Sequence, residues 1–117
     1  MENVNKIKPI TLRDTETGET YTLEFNRETI KFAEARGFDI EDVDKFTALK
    51  LPELFWYAFR MHHQRVSLEQ AERILYEDLG GLTKAVTKRL IDLWFVPQQA
   101  LVQDEDNAKN ARMTVEL

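Results

Sequence analysis

Leu54-Phe55-Trp56-Tyr57-Ala58-Phe59 packs four of the chain's twelve aromatic residues into six positions. Pro52 and Glu53 stand just before it, which suits the first turn of a helix: a missing N–H costs nothing there, and a carboxylate meets the positive end of the dipole. At 3.6 residues per turn, Leu51, Phe55, Ala58, Phe59, His62 and Val66 fall near one face. Leu54, Trp56, Tyr57 and Met61 spread apolar surface around the rest. A helix apolar on nearly every side is a central one, wrapped by the other elements or by a partner. The spacing predicts it over about residues 51–65.

Upstream, Ile10 and Leu12 alternate with polar neighbours, and so do Tyr21, Leu23 and Phe25. Period-two alternation marks strands with one buried face. Between them Asp14-Thr15-Glu16-Thr17-Gly18-Glu19 supplies turn chemistry. A β-hairpin over about 7–13 and 20–25 is expected, and two strands need helices against their apolar face to be stable. Asn26 is placed to cap a following helix, with Phe25 and Ile30 as a hydrophobic staple. Gly37 fits the left-handed position after that helix, with Phe38 reaching back to Ala33.

The acidic run Asp39, Glu41, Asp42 and Asp44 has two readings. One is a cation site. The other is the cap and solvated face of a short helix whose Ile40, Val43 and Phe46 point inward. An EF-hand loop wants Asp or Asn at its fifth position and Gly at its sixth, where Val43 and Asp44 stand, so the short helix is expected.

Downstream of the aromatic helix, Ser67 and Gln70 form a capping-box pattern. Leu68, Ala71, Ile74, Leu75 and Leu79 make the next stripe, and Gly80-Gly81 ends it. A further helix carries Leu82, Ala85, Val86, Leu90, Leu93 and Trp94, widened by Ile91 and Phe95, with Lys84, Lys88 and Arg89 outside. Pro97 kinks the chain or begins a short helix through Leu101. The fold class is α+β, mainly α: an N-terminal β-hairpin followed by a compact bundle of four to five helices. Residues 1–103 are expected as one globular domain, and 104–117 as a flexible polar C-terminal tail.

Chemistry is sparse. The chain of 117 residues has no cysteine, so disulfides and zinc–thiolate sites are excluded. His62 and His63, the only histidines, are neighbours about 100° apart on a helix and cannot share a metal as an i, i+4 pair does. His62 is expected at the core's border and His63 toward solvent. Ser67, the only serine, lacks a nucleophile elbow, and Gly80-Gly81 lacks the Lys-Ser/Thr of a phosphate loop. No catalytic residue, cofactor or metal is expected, and the role is read as non-enzymatic. A net charge of −5 opposes nucleic-acid binding. No apolar run nears the roughly 20 residues of a membrane span. Surplus aromatic surface remains as the functional signal. Trp56, Tyr57, Trp94 and Phe95 lie at the margins of their stripes and are the candidate partner-binding residues. The alternative is that the core simply needs them.

Four pieces in this order resemble a known family: Tyr21-Thr22-Leu23-Glu24-Phe25-Asn26-Arg27-Glu28, the helix to Gly37-Phe38-Asp39-Ile40, Leu51-Pro52 through Phe59 with the following His-His, and Leu93-Trp94-Phe95-Val96-Pro97. The chain looks like the small tail assembly chaperones of long-tailed bacteriophages and prophages, over about residues 20–102. The resemblance implies a cytoplasmic protein of the host bacterium. It would coat the apolar tape-measure protein before the tail tube polymerises, and be absent from the mature virion. It also implies a longer form made by ribosomal frameshifting, whose extension recruits tail-tube protein; Ala108-Lys109-Asn110 can be encoded by a slippery run of adenines. Self-association along the client is expected. The alternative is a small helical head–tail adaptor or other structural virion protein.

Overall fold

The computed structural model describes residues 7–100 and 112–117. Strands β1 (Ile10–Arg13) and β2 (Thr20–Leu23) pair antiparallel, with Ile10 opposite Leu23 and Arg13 opposite Thr20. Their loop is held by Asp14, whose carboxylate accepts the Glu16 and Thr17 N–H groups at 2.8 and 3.1 Å. Those two donors hold the Asp14 carboxyl below its ordinary value. Past Leu23 the chain leaves its partner strand, and Glu24 N–H donates to the Ala58 carbonyl at 3.1 Å. The hairpin is thereby tied to the aromatic helix through backbone as well as side chains.

Helix α1 (Arg27–Ala35) begins at Asn26, whose side-chain oxygen accepts both the N–H and the hydroxyl of Thr29, at 2.8 and 2.7 Å. Thr29 is buried, so this cap also satisfies a polar group out of reach of water. Asn26→Ala is expected to cost about 1–2 kcal/mol, the upper part of the range for a helix cap, read as a shift in urea midpoint. The other end closes with Phe38 N–H on the Ala33 carbonyl and Gly37 N–H on that of Glu34. Gly37 sits at φ +89°, a conformation that a β-carbon disfavours.

The acidic run forms helix α2 (Asp42–Lys45), with Val43 buried and the Asp39 carboxylate accepting Glu41 N–H. Phe46 does not point inward as expected; it is 55% exposed. Helix α3 (Thr47–Phe59) starts a turn earlier than the pattern implied and ends sooner, so Pro52 lies in its second turn rather than its first. Leu54, Phe55, Tyr57, Ala58 and Phe59 of α3 are all buried, as its all-round apolarity requires.

Helix α4 (Leu68–Arg73) opens with the Ser67–Gln70 capping box, then passes into one π turn, Ile74–Asp78. The wider turn shows in Leu79 N–H donating to the Ile74 carbonyl five residues back. It advances fewer degrees per residue than an α-turn, so Leu79 leaves the stripe that Ala71 and Leu75 follow into the core and stands 41% exposed. Helix α5 (Lys84–Phe95), capped by Thr83, buries Leu90, Leu93 and Trp94, and a 3-10 turn follows at Pro97–Ala100. The core is one cluster drawn from β2, the helices and the segments joining them. The architecture is therefore the expected hairpin followed by a mainly helical bundle. Met113, Val115 and Leu117 are exposed, and the tail's frameshift-related residues 108–110 lie outside the described residues.

Candidate functional site

The four candidate aromatics part company. Trp94 is fully enclosed, with Phe25 and Phe38 edge-on at ring centroids of 5.2 and 5.3 Å. Tyr57 is buried against Phe38 and Phe32. Neither can meet a partner without unfolding. Trp56 is half-buried, its indole N–H donating to the Val66 carbonyl at 2.8 Å. Phe95 alone of the four is open, at 42% exposure.

The apolar surface that does face water lies elsewhere. Phe46 and Leu49 stand on either side of Thr47 in sequence, at the start of α3, and Leu49 is 61% exposed. Thr47 and Leu51 form one wall of a groove of about 380 Å³ whose other side is Leu82, Thr87 and Ile91 of the α5 region, with Lys84 and Lys88 at its edge. Phe95 follows Ile91 by one turn on α5, so it prolongs that wall. Lys88 is already paired with Asp92 at 2.8 Å.

Phe46 and Leu49 also break a local rule. Phe46 is the residue before the first turn of α3 and makes no side-chain cap; Leu49 is three positions on. Leu49 N–H donates to the Phe46 carbonyl at 3.1 Å instead of to a side-chain cap, and a polar or acidic pair at this spacing would suit the dipole better. Large apolar groups held there in water supply neither cap nor charge.

A family model described as "Domain of unknown function (DUF5055)" matches residues 4–117. The chain belongs to this family. No curated protein matches it, and neither does any solved structure.

The histidines of this DUF5055 domain are structural anchors in the reverse of the expected arrangement. Because α3 ends at Phe59, His62 and His63 sit in the turns after it, where the Phe59 carbonyl accepts both their N–H groups. His62 is the exposed one, with Nε2 2.5 Å from a Glu24 carboxylate oxygen. His63 is half-buried against Tyr21 and Phe59, and its Nε2 accepts the Thr22 N–H at 2.9 Å. That bond requires a deprotonated Nε2, hence a neutral ring with its proton on Nδ1.

Burial pushes the His63 imidazole below its ordinary value and the charge of His62 adds to the effect, against a smaller pull from Glu19. The unfolded chain therefore takes up this proton at a higher pH than the folded one. The stabilisation is complete above about pH 6.5 and is lost as the pH falls from there toward the lowered native value. Urea midpoints measured between pH 7.5 and 5 should fall with acidity, and His63→Gln should flatten that fall.

A hollow of about 440 Å³ between the hairpin and the π turn is ringed by Asp14, Glu16, Glu19, Glu77 and Asp78 beside Tyr21. Burial, then the nearby Glu19 charge, raises the Tyr21 phenol above its ordinary value, so the phenol stays protonated at neutral pH. Asp14 is committed to its own turn. Among the described residues no group of three or more His, Asp or Glu side chains is arranged to hold a metal ion. No helix among them is long and apolar enough to cross a membrane.

Proposed function

We propose that this protein is a holding chaperone of the phage tail assembly type. It covers apolar stripes of the helical tape-measure protein before the tail tube polymerises, in the cytoplasm of the host and not in the finished virion. The observation that carries the reading is apolar surface left in water at two places, Phe46 and Leu49 at the start of α3, and the Leu51–Leu82–Ile91 groove prolonged by Phe95. The sequence resemblance set out above supports the same role. An apolar stripe of a client helix lies in such a groove with its i, i+3, i+4 side chains as anchors. Each site holds weakly, and repetition along a long client gives coverage that tail-tube subunits can displace. A frameshifted longer form would bring those subunits, and neighbouring copies would associate along the client.

Co-expression with the tape-measure protein tests this. The client is expected in the soluble fraction only when this protein is present. A client equally insoluble with and without it would overturn the reading. Fixed copy number in purified particles would mark a structural component instead.

A further inference from the structure

We propose that a second surface, built on Phe32 and Trp56 by Arg36 and Arg60, recognises carboxylate side chains of an acidic, apolar protein segment. The inference deepens the reading of this chain as a binder of client helices, and it stands on separate residues. The Arg60 guanidinium carbon lies 3.6 Å from the Phe32 ring centroid. That of Arg36 lies 5.4 Å from Phe32 and 5.5 Å from Trp56. The two rings meet edge-on at 6.3 Å, and both are half-buried. Arg36 and Arg60 are the C-cap residues that follow α1 and α3, so two helix C-termini bring the cations together.

The Arg60 guanidinium rests on the Phe32 ring, and that of Arg36 lies within cation–π range of both rings without touching either face. Among the described residues neither arginine has a carboxylate within ion-pair distance, and neither guanidinium makes a hydrogen bond. A guanidinium resting on a ring is held in place while its N–H donors remain in its own plane, the geometry that takes a carboxylate through two parallel bonds. Beside Phe32 and Arg60 opens a hollow of about 480 Å³, lined also by Lys31, Met61, Gln64 and Glu28, the last 4.0 Å from Lys31; Arg36 and Trp56 stand outside it. A helix with carboxylates one turn apart and an apolar residue between them offers both fillings. The carboxylates reach the two forks, and the apolar group enters beside Phe32. Local charge complementarity selects an acidic occupant, since Arg36 and Arg60 stand on shared rings with no carboxylate partner among the described residues.

The test uses the full ¹⁵N-labelled chain. Three probes are added in turn: a short amphipathic helical peptide with glutamates four apart around leucines, its twin with lysines for glutamates, and a single-stranded oligonucleotide. The glutamate peptide is expected to shift the Arg36 and Arg60 Nε–H and Trp56 indole signals saturably, with Thr22 unmoved. Affinity is expected to fall about tenfold or more in R36Q/R60Q, as for loss of charge-assisted hydrogen bonds. R60K, which keeps the charge without the planar fork, should fall comparably. Shifts confined to the Leu51–Ile91 groove, equal binding of the lysine twin or oligonucleotide, or shifts that grow with protein concentration alone would overturn the proposal. If R36Q/R60Q with an unchanged amide spectrum still solubilises a co-expressed tape-measure protein as well as wild type, this surface is not part of client binding, while the chaperone reading stands.

Discussion

Trp94→Ala should remove about 3–5 kcal/mol of stability, the cost of emptying a fully buried indole site, from a domain whose total is of order 5–15 kcal/mol. The reason is its position rather than its size alone. Trp94 on α5 receives the edges of Phe25, which follows β2, and Phe38, which follows α1. One ring thus fixes three segments distant in sequence. Trp94→Phe should behave differently. Trp94 Nε1 is the one buried side-chain nitrogen or oxygen without a hydrogen-bond partner among the described residues, so phenylalanine removes an unmet donor while keeping most of the packing. A loss below about 1.5 kcal/mol is expected. Urea unfolding followed by circular dichroism at fixed pH separates the two. Equal losses in both variants would mean that the indole N–H is satisfied in solution.

Much of this architecture can be read from short windows of sequence, because its signals act over three or four residues. Asn26 and Ser67 cap, Gly37 turns left-handed, and Tyr21, Leu23 and Phe25 alternate with polar residues, whatever the rest of the chain does. The misses begin where a helix changes length or pitch. The 3.6-residue spacing puts the histidine pair on a helix, but α3 stops at Phe59 and the turns after it send His63 inward and His62 out. The π turn of Ile74–Asp78 has no residue signature, and it rotates Leu79 off the buried stripe.

The candidate surface was harder still. Trp94 and Phe95 are neighbours, yet one is enclosed and the other open, because Phe25 and Phe38 arrive from afar to cover only the first. Tyr57 is covered in the same way by Phe32 and Phe38. Arg36 and Arg60 share a ring only because α1 packs on α3. Phe46 and Leu49 did leave a trace. With α3 begun at Thr47, Phe-x-x-Leu occupies the positions where a capping pair belongs, and a segment that defies its local preference points to use elsewhere.

That conflict yields the sharpest functional test. In the double variant F46D/L49E, aspartate stands where a cap belongs and glutamate falls in the first turn of α3, where both favour the helix N-terminus. Both positions are more than half exposed, so no packing of consequence is lost. Phe46 also ends α2, whose Asp42 and Asp44 oppose a further carboxylate, so the folded state should stay within about 0.5 kcal/mol of wild type. A client that rests on this patch should bind less well. Two apolar anchors disappear and two charges must be desolvated on contact, a combination that costs binding about 2 kcal/mol or more, thirtyfold or greater in affinity. If the proposed role holds, co-expressed tape-measure protein should then pass to the insoluble fraction while the variant itself remains soluble, with a urea midpoint near that of wild type. The presence of Phe46 and Leu49 against the local preference of α3 has a functional explanation only if client binding falls while stability does not. If the variant folds as before and holds its client as well as before, the patch is incidental and the Leu51–Ile91 groove with Phe95 must carry the binding by itself.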